Sequence, residues 1–142
     1  MSRIPTALAA ATILTLALAG CGSSSSSAKA LTKAQWTTKT NAICKTYSAK
    51  TAALEPANDA SSADVDSAVK KVADLVVEEV GKIKELKEPS SISSDVSAML
   101  DNLKTAAATL KSQGVAALSG TTNPFEDANT KATALGLTDC VS

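Results

Sequence analysis

Thr32-Lys33-Ala34-Gln35-Trp36-Thr37-Thr38-Lys39-Thr40-Asn41-Ala42-Ile43-Cys44-Lys45-Thr46-Tyr47 is the stretch that decides the fold class. Thr32 and Gln35 have capping-box spacing, in which a hydroxyl and a side-chain amide satisfy free backbone donors at a helix start. Trp36, Thr40, Ile43, Cys44 and Tyr47 then recur at steps of three or four, and Thr51 and Leu54 continue the stripe. A half-buried strand would alternate strictly, so this period means an amphipathic helix, closed by Glu55-Pro56.

Three further segments carry the same signal. The second starts near Ser61 or Ser62 and places Val65, Ala68, Val69, Val72, Val76, Val80 and Ile83 on one face, ending before Pro89. Asp66 with Lys70, and Glu78 with Lys82, are acid-before-base pairs at i,i+4 on its charged side, each contributing about 0.2–0.5 kcal/mol. The third runs from about Ser94 through Val96, Met99, Leu100, Leu103, Ala107, Leu110 and Ala117 toward Gly120, with Gly114 as a point of weakness. The fourth opens with Asn123-Pro124-Phe125-Glu126, a capping residue followed by a proline, and stops at Gly136, with Leu137 folding back on its last turn. The expected fold is all-α: a small up-and-down four-helix bundle. A three-helix arrangement with a C-terminal tail is the alternative. Alanines at 106–108 and 116–117 would bring helices close and leave little room for a large internal cavity.

The segment before this domain carries an address. Arg3 and the amino terminus supply positive charge, residues 4–18 form an apolar run, and Leu18-Ala19-Gly20-Cys21 ends it with a cysteine after small residues. These residues resemble a bacterial lipobox, which implies acylation of the Cys21 thiol and cleavage before it. An ordinary secretory peptide cut elsewhere is the alternative, and either exports the chain. The apolar run is short of the roughly 20 residues a membrane span needs. Gly22 and Ser23 to Ser27 then have the composition of a flexible tether. The expected organisation is a lipoprotein signal peptide at 1–20, lipidated cysteine and tether at 21–30, and helical domain at 31–142. Its expected location is the outer face of the bacterial cytoplasmic membrane.

With Cys21 assigned to lipid, Cys44 and Cys140 remain. Export places them where a disulfide persists, so they are expected to pair, with two separate buried thiols as the alternative. Asn41-Ala42-Ile43-Cys44, preceded by Trp36, and Ala134-Leu135-Gly136-Leu137-Thr138-Asp139-Cys140 resemble two anchor points of a group of secreted and lipid-anchored helical proteins of actinobacteria. The resemblance implies a bundle tied by Cys44 and Cys140 outside the cytoplasm, and it carries no catalytic residue.

Composition removes many chemistries. The chain has no histidine, and Arg3 is its sole arginine, so thirteen of fourteen basic side chains are lysines, against fourteen acids. No Ser-His-Asp or Cys-His site can form, the guanidinium fork for phosphate is absent beyond Arg3, and near-neutral charge with three aromatic residues gives no footprint for nucleic acid. Ser67-Ala68-Val69-Lys70 fits S-x-x-K spacing but lacks the companion motifs, so it reads as solvated helix. Asp64 with Asp66, Glu78 with Glu79, and Glu126 with Asp127 are acid pairs whose members point to different faces or complement helix dipoles, so no metal site is expected. No catalytic residue and no cofactor are expected. Lys29, Lys33, Lys39, Lys45 and Lys50 form the one charge asymmetry; a solvated helix face is the leading reading, with contact to anionic headgroups near the anchor as the alternative. The leading expectation is a non-enzymatic envelope lipoprotein that binds a protein, polymer or lipid of the envelope, with a structural or accessory role as the alternative.

Overall fold

The computed structural model describes residues 30–141, so Cys21, the signal segment, the tether and Lys29 lie outside the described residues. Four helices and no strands are present among the described residues: α1 (Lys33–Ala52), α2 (Ser62–Lys84), α3 (Ser93–Gln113) and α4 (Glu126–Leu135). The starts of α1 and α2 follow from their caps. Thr32 and Gln35 form the capping box expected for α1, and Ser61 with Asp64 forms a second one at α2. The Ser61 hydroxyl and backbone N–H both donate to Asp64 and hold its carboxyl below the usual range.

Consecutive helices run in opposite directions, as their contacts show. The Leu31 N–H donates to the Lys87 carbonyl at 2.9 Å, placing the start of α1 beside the end of α2. The start of α2 meets the end of α3 through Asp66, which accepts from the Val115 N–H at 3.2 Å. Lys131 on α4 reaches Asp95 in the first turn of α3 at 3.1 Å. The result is a helical bundle in which α2 and α3 make the most extensive pairing.

Two apolar clusters fill it. The larger gathers Trp36 and Cys44 of α1, Val80 and Ile83 of α2, Val96, Met99 and Leu100 of α3, and Leu135 and Leu137 from the C-terminal end. The second holds Val69, Ala73 and Val76 against Ala107, Leu110 and Ala117, with no α1 residue in it. Leu103 packs against both clusters. Trp36 and Thr40 are fully buried with Nε1 and Oγ1 unpaired, a desolvation cost of about 1–3 kcal/mol each that the surrounding packing outweighs.

Two helix boundaries differ from expectation. α3 does not continue to Gly120; it ends at Gln113, and Gly114 to Leu118 form a 3-10 turn. Gly114 has φ +57° and ψ −137°, a conformation costly for any residue with a Cβ, and a Cβ there would overlap an Asp66 carboxylate oxygen. α4 begins at Glu126, not at Asn123. Asn123 instead accepts from the Phe125 N–H at 2.9 Å, closing a turn that leads into the helix.

The end of α4 is as expected. Gly136 is left-handed at φ +80°, its N–H donates to the Thr133 carbonyl, and the Leu137 N–H reaches back to Ala132 at 2.9 Å. This Schellman closure drives Leu137 into the core, where it is fully buried.

Candidate functional site

The chain's two most distinctive stretches come together in space. Cys44 and Cys140 form a disulfide with Cα atoms 5.0 Å apart, joining residues 96 positions apart. Asn41, one turn before Cys44, accepts from the Asp139 N–H at 3.1 Å and makes a longer contact of 3.5 Å to the Gly136 carbonyl. The segment after α4 is thus fastened to α1 by a covalent bond, an amide clamp and the buried Leu137. Cysteine count and expected export pointed to the pairing, and Asn41 stood in the stretch singled out before Cys44, but its role depends on backbone partners almost a hundred residues away.

Beside this junction lies an open cleft of about 580 Å3. Its origin is in the packing. The α2 stripe read from the sequence is wider than its neighbours cover: Val69, Val76, Val80 and Ile83 are buried, while Val65, Ala68 and Val72 are only partly so. α1 contributes no residue to the second cluster, and these side chains are left as a floor between α1 and α2. The opposite wall is Ser48, Thr51 and Leu54 of α1 and its following loop. The disulfide, Leu118 and Val141 complete the rim, the last two being exposed at 53% and 47%. Ala73 and Ala107 lie together in the second cluster at the α2–α3 interface, and the cleft is an open surface groove, not the internal cavity that the alanines were expected to exclude.

Glu79 is the one charged residue that α1 or α2 gives to the cleft. It is half-buried, and no cation among the described residues pairs with it. Burial pushes its carboxyl up to about 7. Glu55 after α1 and Asp139 before Cys140 also line the cleft, and no lysine does.

The other residues singled out from the sequence fall elsewhere. Asp66 and Lys70 pair at 2.6 Å as expected, and Lys70 together with the Val115 N–H holds the Asp66 carboxyl below its usual range. Glu78 and Lys82 do not pair: Lys82 turns to Glu85 at 3.0 Å, and Glu78 faces Lys50 across the helices at 4.0 Å. Ser67 lines a shallow neighbouring hollow with Lys71, while Lys70 is committed to Asp66, so no Ser67–Lys70 hydrogen bond forms among the described residues. Glu126 and Asp127 stand in the first turn of α4, where they complement its dipole.

Lys33, Lys39, Lys45 and Lys50 are all exposed on α1. Lys50 also places its ammonium 4.1 Å from the Tyr47 ring centroid. At about 100° per residue, Lys39 and Lys45 project about 120° apart, so the four lysines do not form a single stripe. No helix among the described residues is long and apolar enough to cross a membrane. Comparison with protein-family models, curated proteins and solved structures found no match for this chain.

Proposed function

We propose that this chain is a cell-envelope lipoprotein, anchored through acylated Cys21 at the outer face of the bacterial cytoplasmic membrane, whose up-and-down four-helix domain acts by binding. The anchor reading is supported by Leu18-Ala19-Gly20-Cys21 after an apolar run and by the serine tether behind it. Likeness to lipid-anchored actinobacterial proteins, through the Asn41–Cys44 and Ala134–Cys140 stretches, belongs to the same proposal.

The observation that carries the binding reading is the cleft. Its volume lies within the range of small-molecule sites, its floor is aliphatic, and Leu118 and Val141 keep large apolar surface in water at its rim. A chain selected only to present a soluble surface gains nothing from leaving such groups uncovered.

The test uses the mature chain carrying Cys21→Ser, which has no acyl chains to occupy the cleft. N-phenyl-1-naphthylamine should fluoresce strongly with this protein and weakly with its Ala68→Glu variant, at equal helix content by circular dichroism. An unenhanced signal with the unsubstituted cleft refutes the binding reading. In cells, Cys21→Ser should release the domain from the membrane fraction or stall its processing, and unchanged attachment and mass refute the anchor.

A further inference from the structure

We infer that the cleft receives an amphiphile with an aliphatic chain and a cationic, amine-type head, the head pairing with Glu79 and the chain lying along Val65, Ala68, Val69 and Val72. This rests on the proposal that the cleft is a binding site and goes further by stating what chemistry it selects.

Glu79 sits in the C-terminal half of α2. It follows Val72 by two turns and Val65 by four, so it stands at one end of an aliphatic floor that extends about 20 Å along the helix. A ligand chain on that floor would place its terminal group beside the carboxylate. Charge then decides which terminal group fits. Around the cleft, α1 and α2 supply no charged side chain other than Glu79, the loop after α1 supplies Glu55, the turn carrying Leu118 supplies none, and the C-terminal turn supplies Asp139. An anionic head would face three carboxylates and no cation. A cationic head would meet the only sign of charge available.

The lysines of the surrounding helices do not fill this role. Lys50 faces Glu78, Lys70 pairs with Asp66, Lys82 with Glu85 and Lys111 with Asp74. Cations are plentiful on α1 and α2, yet among the described residues Glu79 is the acid of α2 with neither an ion pair nor a side-chain hydrogen bond, since Asp64 holds Ser61 and the others hold lysines. Its raised proton affinity is the consequence of removal from water without compensation. An ammonium group would supply that compensation, so binding and deprotonation of Glu79 are coupled, and affinity for a cation rises as pH rises through about 7.

The experiment measures displacement of N-phenyl-1-naphthylamine from the mature Cys21→Ser chain by three ligands of equal length: decylammonium, decanol and decanoate. At pH 8 decylammonium should displace the dye at about tenfold lower concentration than decanol, with decanoate the weakest. At pH 6 the advantage over decanol should shrink to a few-fold. Glu79→Gln should make decylammonium and decanol equal at both pH values while leaving decanol unchanged. Decanoate as the best competitor, a pH-independent ammonium preference, or a preference surviving in Glu79→Gln would each overturn the inference. Should that variant fail to fold, the pH series on the unsubstituted chain decides alone. Failure of the dye itself to bind would remove the underlying binding proposal, whereas dye and decanol binding without ammonium preference would remove only this inference.

Discussion

Glu79 has an energetic signature that can be read without any ligand. Its carboxyl lies near 4.5 when solvated and about 7 in the folded chain. Between those values the folded state holds more proton than the unfolded one, so this residue's contribution to stability falls as pH rises. Asp64 and Asp66 act in the opposite sense: their lowered values add stability that is lost only in acid, below the ordinary carboxylate range. Comparing the native chain with Glu79→Gln isolates the first effect. The variant should be more stable at pH 8 by about 1–3 kcal/mol, allowing for partial solvent access, and the gap should close by pH 4.5. Urea titrations at the two pH values would measure it, and a pH-independent difference would contradict the burial of this carboxyl. Gly114 makes a second residue-scale case. Gly114→Ala would impose both an unfavourable backbone and a clash with Asp66, costing about 2–3 kcal/mol. Removing the clash by adding Asp66→Ala should recover only the steric part, because the backbone strain remains.

At the level of elements, α1 and α2 were legible because their starts are written in side chains that act locally. Thr32 with Gln35 and Ser61 with Asp64 each close a box within one turn, and nothing distant is needed. The Gly136 ending was legible for the same reason. Boundaries set by tertiary contact were not. Gly114 ends α3 because the Asp66 side chain and the Val115 N–H meet there, a contact between residues 49 apart. Lys82 chose Glu85 over Glu78 because Glu78 faces α1, which a single-helix register cannot reveal. The cleft was hidden by the same limit. Periodicity shows that Val65, Ala68 and Val72 are apolar and share a face, but whether a neighbour covers that face depends on how α1 stands against α2. The cysteine pairing was legible from count and compartment, and it yields its own prediction. A loop of this size implies about 4–5 kcal/mol on the chain-entropy account, so Cys44→Ser with Cys140→Ser should lower unfolding free energy by up to that amount. Guanidinium denaturation of the double variant checks it; a change under 1 kcal/mol would mean the C-terminal segment is held chiefly by Asn41 and Leu137.

On the scale of the whole molecule, the arrangement is lopsided. Trp36 and Leu137 of the larger cluster lie toward the start of α1, whereas the disulfide joins α1 past its midpoint at Cys44 and borders the cleft, which occupies the half where α1 ends. A 20-residue helix spans about 30 Å, so under the proposed anchoring the firmest half faces the tether and the least covered half faces outward. The lysines of α1 are distributed around its exposed arc, whereas the charge that α2 brings to the cleft is a half-buried acid.

The bond between Cys44 and Cys140 also defines how the molecule carries load. Tension applied between the tether and the C-terminal end has a covalent route that leaves α1 at residue 44 and enters the final segment at residue 140, bypassing everything between them. Most of the bundle is therefore mechanically out of circuit. Stretched in an optical trap between its two ends, the oxidised chain should pay out only the turns of α1 before Cys44 and the short tail beyond Cys140. Adding a reductant should release a further length of about 330 Å in the same experiment, the extended span of the residues that the bond had been holding slack.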